Sequence, residues 1–288
     1  MSPVRKAVFP IAGLGTRMLP ATKVLPKEML PVVDKPVIQY ALEEARAAGI
    51  EEFIFVTGRG KTLIEDHFDR AAELFETLAA KGKDAALAEL EAGMPKAGEV
   101  TYTRQQQPLG LGHAIWCARH LVGDEPFAVA LVDDLILGDE PCLKELIEAH
   151  ARTGGNVVAT MEVPQAHTKR YGILDPGTIE SRLVEAKAMV EKPEPAEAPS
   201  RYAVVGRYVL LPEVFGHLDT QEPGAGGEIQ LTDAMAKMLG VRPFHGYVFS
   251  GERHDCGDKL GYLEAIVAAA LRRPDLADDF AAILKRYD

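Results

Sequence analysis

Cysteine is scarce in this chain. Three residues in 288, at positions 117, 142 and 256, form no CxxC pair and no disulfide framework. They read as buried thiols in a reducing compartment. Long apolar runs are also missing: nothing approaches the ~20 residues of a membrane span. The opening residues lack the apolar stretch and cleavage site of a signal peptide, so a cytoplasmic location is expected. Positive charge is short as well. Thirty-two lysines and arginines against 43 acidic residues leave a net charge of −11, which argues against a nucleic-acid partner. Two familiar phosphate motifs fail. A G-x-G-x-x-G fingerprint from Gly13 needs glycine where Met18 stands, and a Walker A loop ending in Gly60-Lys61-Thr62 needs it where Phe55 stands.

What is present points to a different phosphate site. The β-branched and apolar run Val4 to Ile11 breaks into Ala12-Gly13-Leu14-Gly15-Thr16-Arg17-Met18. A strand opening into a glycine loop lets backbone N–H groups approach phosphate oxygens. Arg17 and Lys27 add the fixed cations that a triphosphate needs.

Strand and helix signals alternate. Val4–Ile11, Phe53–Thr57, Val100–Arg104 and Phe127–Val132 read as short buried strands. Pro36–Ala48, Gly112–Leu121 and Pro141–Arg152 read as helices. The expected fold is α/β, with a Rossmann-like, mostly parallel central sheet and helices on both faces. A first part spans about 1–153 and a smaller, β-rich part about 154–257. An Ala- and Glu-rich helical insertion occupies about 69–92, and residues 274–288 form a helical tail that packs on its own chain or on a neighbour. Ligands of such sheets lie beyond the carboxyl ends of the strands. Arg104-Gln105 and Val132-Asp133-Asp134 stand at such ends, so they should share a crevice with the glycine loop.

Each candidate has a chemical use and a plainer alternative. A glutamine amide at 105 offers one donor and one acceptor edge, which suits a nucleotide base. Asp133 is a hard oxygen donor suited to Mg2+, or simply a cap or turn residue. In Glu191-Lys192 the carboxylate can accept from adjacent hydroxyls while the ammonium holds an anion, unless the two are only an exposed ion pair.

Nine segments in the same order resemble the sugar-1-phosphate nucleotidyltransferases, in particular their uridylyltransferase branch. They are residues 12–18, 26–35, 104–114, 132–135, 171–172, 190–193, 204–208, 227–234 and 255–262. The resemblance implies that UTP and glucose 1-phosphate give UDP-glucose and pyrophosphate, with Mg2+ as cofactor, in a homodimer or homotetramer. It implies nucleotide binding for the first part, about 1–153, and sugar binding for the second, about 154–257. It implies that Asp133 and Asp255 engage the metal, with Asp134 a weaker candidate. Ala12, Gly13, Gly15, Gln105 and Gly110 are expected to bind the nucleotide, and Arg17 and Lys27 its phosphates, while Lys35 is doubtful. Gly172, Glu191, Lys192, Val204 and Gly206 are expected around the sugar phosphate. Glu228 either lies near the sugar or caps the next helix, and His113 is expected only to start a helix. A thymidylyltransferase, or a silent nucleotide-binding paralogue, remains the alternative.

Overall fold

The structure is a computed structural model describing residues 2–220, 222–224 and 227–287. Thirteen strands occur among these residues. The first six are β1 (Lys6–Pro10), β2 (Pro31–Val32), β3 (Lys35–Pro36), β4 (Glu52–Thr57), β5 (Val100–Arg104) and β6 (Phe127–Ala130). They are followed by β7 (Asp134–Leu137), β8 (Asn156–Glu162), β9 (Gly172–Glu180) and β10 (Leu183–Glu191). The last are β11 (Tyr202–Leu210), β12 (Phe244–Val248) and β13 (Glu252–Asp255). The main sheet has nine strands in the order β5-β4-β1-β6-β11-β8-β12-β10-β9.

Strand periodicity builds the two faces. Ala7, Phe9 and Ile11 point to one side, against Ile38, Leu42 and Leu146; Val8 points to the other, against Ile115 and Leu218. Helices therefore cover both faces. The parallel character belongs to the first half, where β5, β4, β1 and β6 run alike. Beyond β6 the sheet is mixed: β11 is antiparallel to both β6 and β8, and β12 is parallel to β8. Ala203 of β11 also pairs with Ile173 of β9, which closes β11, β8, β12, β10 and β9 into a barrel-like ring. The small β-rich unit is thus continuous with the central sheet through β11.

Several elements differ from the sequence expectation. β5 is an edge strand with Thr101, Tyr102 and Arg104 exposed, because no strand pairs on its outer side. β7, β9 and β13 carry weak sequence signals: β7 and β13 are four residues each, and Pro176 and Gly177 interrupt β9. After helix Thr62–Phe68, the insertion forms helices Ala72–Ala80 and Asp84–Gly93, the last with no buried residue. The tail helix Ala277–Leu284 lies on Lys259–Arg272 of its own chain, with Arg273 bonded to Asp34 and Asp275. All three cysteines are free thiols, and no helix among the described residues is long and apolar enough to cross a membrane.

One buried ion pair ties the two halves together. Arg207, 1% exposed, donates to both carboxylate oxygens of Glu44 and to the carbonyls of Leu131 and Gly206. Glu44 also accepts from the Leu143 N–H at the start of helix Cys142–Thr153. Arg207→Met strands a buried carboxylate and should cost about 3–5 kcal/mol. Adding Glu44→Gln removes that charge while keeping an acceptor for Leu143, and should recover part of the loss. Urea unfolding of both variants tests this; an Arg207→Met loss below about 1 kcal/mol would contradict the role.

Candidate active site

The glycine loop wraps a lysine. Gly15 adopts φ +66°, and a Cβ there would meet Lys27 Cβ at 3.2 Å and Thr22 Cβ at 3.3 Å. Thr22 Oγ1 donates to the Gly15 carbonyl at 2.7 Å. Lys27 begins the short turn Lys27–Met29, whose Glu28 is 1% exposed and accepts from Lys61 Nζ at 2.6 Å. Burial pushes the Glu28 carboxyl up and the Lys61 ammonium down, and each partner offsets part of that effect. The lysine of the failed Walker motif is therefore a strut that fixes the Lys27 turn to the start of helix Thr62–Phe68.

The two aspartates meet through a small ribbon. β7 and β13 pair antiparallel with Asp134 opposite Asp255, and the Cys256 N–H donates to the Asp133 carbonyl at 2.7 Å. Asp133 follows β6 and receives Lys27 Nζ at 2.5 Å. Arg17 lies 3.8 Å from Asp133 and 3.9 Å from Asp255. Burial pushes the Asp133 carboxyl up, but the ammonium bonded to it and the Arg17 guanidinium outweigh burial, and the net direction is down. Asp255 goes the other way: burial and the Asp134 charge raise it, with Arg253 and Arg17 pulling it back. Two hard carboxylates, one bonded to an ammonium and the other with incomplete counter-charge, form a donor set for a divalent cation. A Cβ built at Gly257 would fall 2.5 Å from Arg17 Nη2, 2.8 Å from Asp133 Oδ2 and 2.9 Å from Asp255 Oδ1, so only glycine leaves room for the three groups to converge. Among the described residues no group of three or more His, Cys, Asp or Glu forms a full cage, so ligand oxygens or water would complete such a site.

Asp134 faces away from this gap. Its Oδ2 accepts from the Gly206 N–H at 2.7 Å and its Oδ1 from Arg253 Nε at 2.9 Å. Arg253 also approaches Asp255 at 3.4 Å and donates to the Tyr171 hydroxyl at 3.1 Å. Sequence reading passed over Arg253 and Gly257. The spacing held a signal for the first, since Arg253 and Asp255 are two apart on a strand and share a face.

Across a cleft of about 470 Å³ stand Gly172, Glu191, Lys192, Val204 and Gly206. Gly172 lies opposite Glu191 in the β9–β10 register, and a Cβ on it would press on Glu191 and Thr232 at 3.3 Å. Lys192 binds Glu191 at 2.8 Å and takes φ +47°, a conformation costly for a residue with a side chain. Its N–H donates to the Tyr171 carbonyl at 3.0 Å, which holds that turn. Gly206 lines the cleft, yet its N–H goes to Asp134 and its carbonyl to Leu131 and Arg207. It offers shape here, its backbone groups being taken up within the chain. Arg170 stands at the rim, 3.8 Å from Asp258.

Gln105 and Gly110 form a separate corner beyond Leu111. Gly110 has φ +109°, and a Cβ there would clash with Glu228 and with the Ile229 backbone at 2.8–2.9 Å. Chain packing is thus a sufficient reason for glycine at 110. Glu228 covers Gly110 and accepts from Gln230 Nε2 at 3.4 Å. Lys35 lies outside the cleft, bonded to Glu43 at 2.8 Å. Arg17, Asp133, Gly172, Glu191, Lys192, Val204, Gly206 and Asp255 line one cleft; Lys27 joins it through Asp133, and Ala12, Gly13 and Gly15 adjoin it through the loop around Lys27.

Residues 6–271 match the nucleotidyl transferase family. The chain is 48% identical over 285 residues to the UTP–glucose-1-phosphate uridylyltransferase of Bacillus subtilis (strain 168), covering 99% of this chain and 97% of that one. It is similar to a UTP-bound UGPase from Acinetobacter baumannii, with a TM-score of 0.91, 40% identity and coverage of 99% and 100%. It is also similar to a UDP-glucose pyrophosphorylase complexed with UDP-glucose, with a TM-score of 0.86, 43% identity and coverage of 94% and 100%.

Two outcomes follow from the aspartate pair. Lys27→Met should raise the Asp133 carboxyl above its ordinary range, because burial then acts with less opposition. In the wild type the stabilisation from this depressed carboxyl is present above the unfolded pKa of about 3.9 and is lost as pH falls through the lower folded value. Carboxyl 13C titration of Asp133 checks the shift, and an unmoved titration would refute the assigned cause. Gly257→Ala should place a methyl between the carboxylates and lower turnover by roughly ten- to a hundredfold. Its unfolding midpoint should stay close to that of the wild type; full activity would show that the gap is not used.

Proposed function

The chain belongs to the nucleotidyl transferases, and within them to the UTP–glucose-1-phosphate uridylyltransferases; from that premise we propose how its cleft carries the reaction. UTP and α-D-glucose 1-phosphate are converted to UDP-glucose and pyrophosphate. A phosphate oxygen of the sugar phosphate attacks the α-phosphorus of UTP. A new P–O bond forms there, and the bond from the α-phosphorus to the oxygen bridging to the β-phosphate breaks, releasing pyrophosphate. The second pKa of a phosphate monoester is about 6, so the nucleophile is largely dianionic at neutral pH and needs no general base. The obstacle is bringing two polyanions together and stabilising charge in line with the leaving group.

In this reading Lys27 and Arg17 turn from the aspartates to the β- and γ-phosphates. Lys192 turns from Glu191 to the sugar phosphate, and Glu191, freed, accepts from sugar hydroxyls. Gln105 and Gly110, with Ala12 and Gly13 alongside, take the base. Gly172, Val204 and Gly206 shape the sugar side. Asp133 and Asp255 hold Mg2+, which when bound adds electrostatic stabilisation at the phosphates. The observation that best supports this is the set of cations resting on carboxylates around one cleft, Lys27 on Asp133 at 2.5 Å and Lys192 on Glu191 at 2.8 Å. We also propose a cytoplasmic homodimer or homotetramer. Leu260 and Leu263, 79% and 58% exposed on one helix, suit a subunit contact. A monomeric mass by light scattering would count against it.

Pyrophosphate release with glucose 1-phosphate and Mg2+ should be fastest with UTP among UTP, dTTP, ATP and GTP. Preference for dTTP would instead indicate a thymidylyltransferase, and no release from folded protein would indicate a silent paralogue. Lys192→Ala should raise KM for glucose 1-phosphate more than KM for UTP, by about ten- to a hundredfold for loss of a charge-assisted contact. Equal effects on both substrates would remove Lys192 from the sugar-phosphate site.

A further inference from the structure

The corner around Gln105 holds more order than a helix start requires. Gln105 is 7% exposed. Its Nε2 donates to the Gly110 carbonyl at 3.0 Å and lies 3.0 Å from His113 Nδ1. An amide nitrogen carries two hydrogens, and these two acceptors use both. Turning the amide over would set Oε1 against a carbonyl oxygen and a ring lone pair. Oε1 therefore points the other way, and among the described residues it accepts no hydrogen bond, so the amide offers a ligand an acceptor alone and not the donor–acceptor pair expected from the sequence.

His113 plays its part only as an acceptor, with Nδ1 unprotonated. Burial lowers its pKa and keeps the ring neutral. The Cys117 sulfur, 3.9 Å from the same nitrogen, adds a weak donor, consistent with an accepting Nδ1. The ring is also held in place. It stacks on Trp116 with centroids 5.7 Å apart, the Arg119 guanidinium lies 3.5 Å over the indole, and the indole N–H donates to Asp219.

We propose that His113 is a positioning residue for base selection: it locks the Gln105 amide so that only Oε1 faces the base, admitting a pyrimidine with an N3–H donor and refusing cytosine, whose N3 is an acceptor. The inference rests on the reading of Gln105 as the base-contacting residue. It assigns no preference between uracil and thymine, which share the N3–H. A stacking ring alone would not select the base; the accepting nitrogen does.

The test is kcat/KM for UTP and for CTP, each with glucose 1-phosphate and Mg2+, in the wild type, His113→Phe, His113→Asn and Gln105→Ala. Phenylalanine keeps a ring over Trp116 and removes the acceptor. A ratio taken on one preparation does not depend on the folded fraction. His113→Phe should lower the UTP-to-CTP ratio about three- to tenfold, the worth of one neutral hydrogen bond. KM for glucose 1-phosphate should stay at its wild-type value. His113→Asn, whose side-chain oxygen can accept, should restore part of the ratio. If Gln105→Ala collapses the ratio while His113→Phe leaves it unchanged, the role of His113 is overturned and the base reading stands. If Gln105→Ala also leaves it unchanged, the base reading falls and the inference with it.

Discussion

Charge neutrality in the cleft is the constraint from which the rest of this site follows. An enzyme that joins two polyanions needs cations converging on one point, and an unpaired buried cation is costly. The chain meets both demands by resting each cation on a carboxylate. Lys27 lies on Asp133, Lys192 on Glu191, and Arg253 bridges Asp134 and Asp255. In the proposed reaction, substrate phosphates and a divalent cation would exchange partners with groups already in place, so little reorganisation would be needed. The opposite shifts of Asp133 and Asp255 express the same balance: one carboxylate has a bonded ammonium, and the other lacks full compensation.

This arrangement depends on a junction that contains no substrate-binding cation. At β11 the chain switches from the parallel half to the closed β-rich ring, and its pairing with β8 slips between Val204 and Tyr208. That irregularity turns the Gly206 N–H to Asp134 and places Arg207 over Glu44. Asp134 in turn orients Arg253, and Arg253 sits beside Asp255. A continuous network of buried polar groups thus links helix Val37–Ala47 to the aspartate that would complete a metal site. Glu44, Arg207, Gly206 and Asp134 are each satisfied by their neighbours, the condition under which such a network specifies a single geometry.

Much of this was legible in the sequence. The strand–loop transition at Ala12, the acids after β6, and the Gln105 and Glu191-Lys192 segments stood out because local pattern and chemistry coincide there. Other parts were not. β7 and β13 are too short to show periodicity, yet their pairing brings Asp133 and Asp255 together. Gly257 reads as an ordinary turn glycine until a Cβ is placed between two carboxylates. Gly110 suggested a close approach to a base, whereas the neighbouring chain at Glu228 and Ile229 already requires it. His113 reads as a helix residue because its partner, Gln105, precedes the helix across a turn.

The sequence by itself determined the class of the fold, the direction of its first strands and the chemical character of the ligand. These depend on hydrophobic period and residue type, which neighbouring residues carry. Only the tertiary structure decided which carboxylate pairs with which cation, that Gly206 spends its backbone groups on Asp134, Leu131 and Arg207, and that the second half closes into a ring continuous with the first. Those outcomes turn on distances between segments up to more than a hundred residues apart, as with Lys27 and Asp133. Strand register and loop packing set such distances, and the composition of any one segment does not encode them.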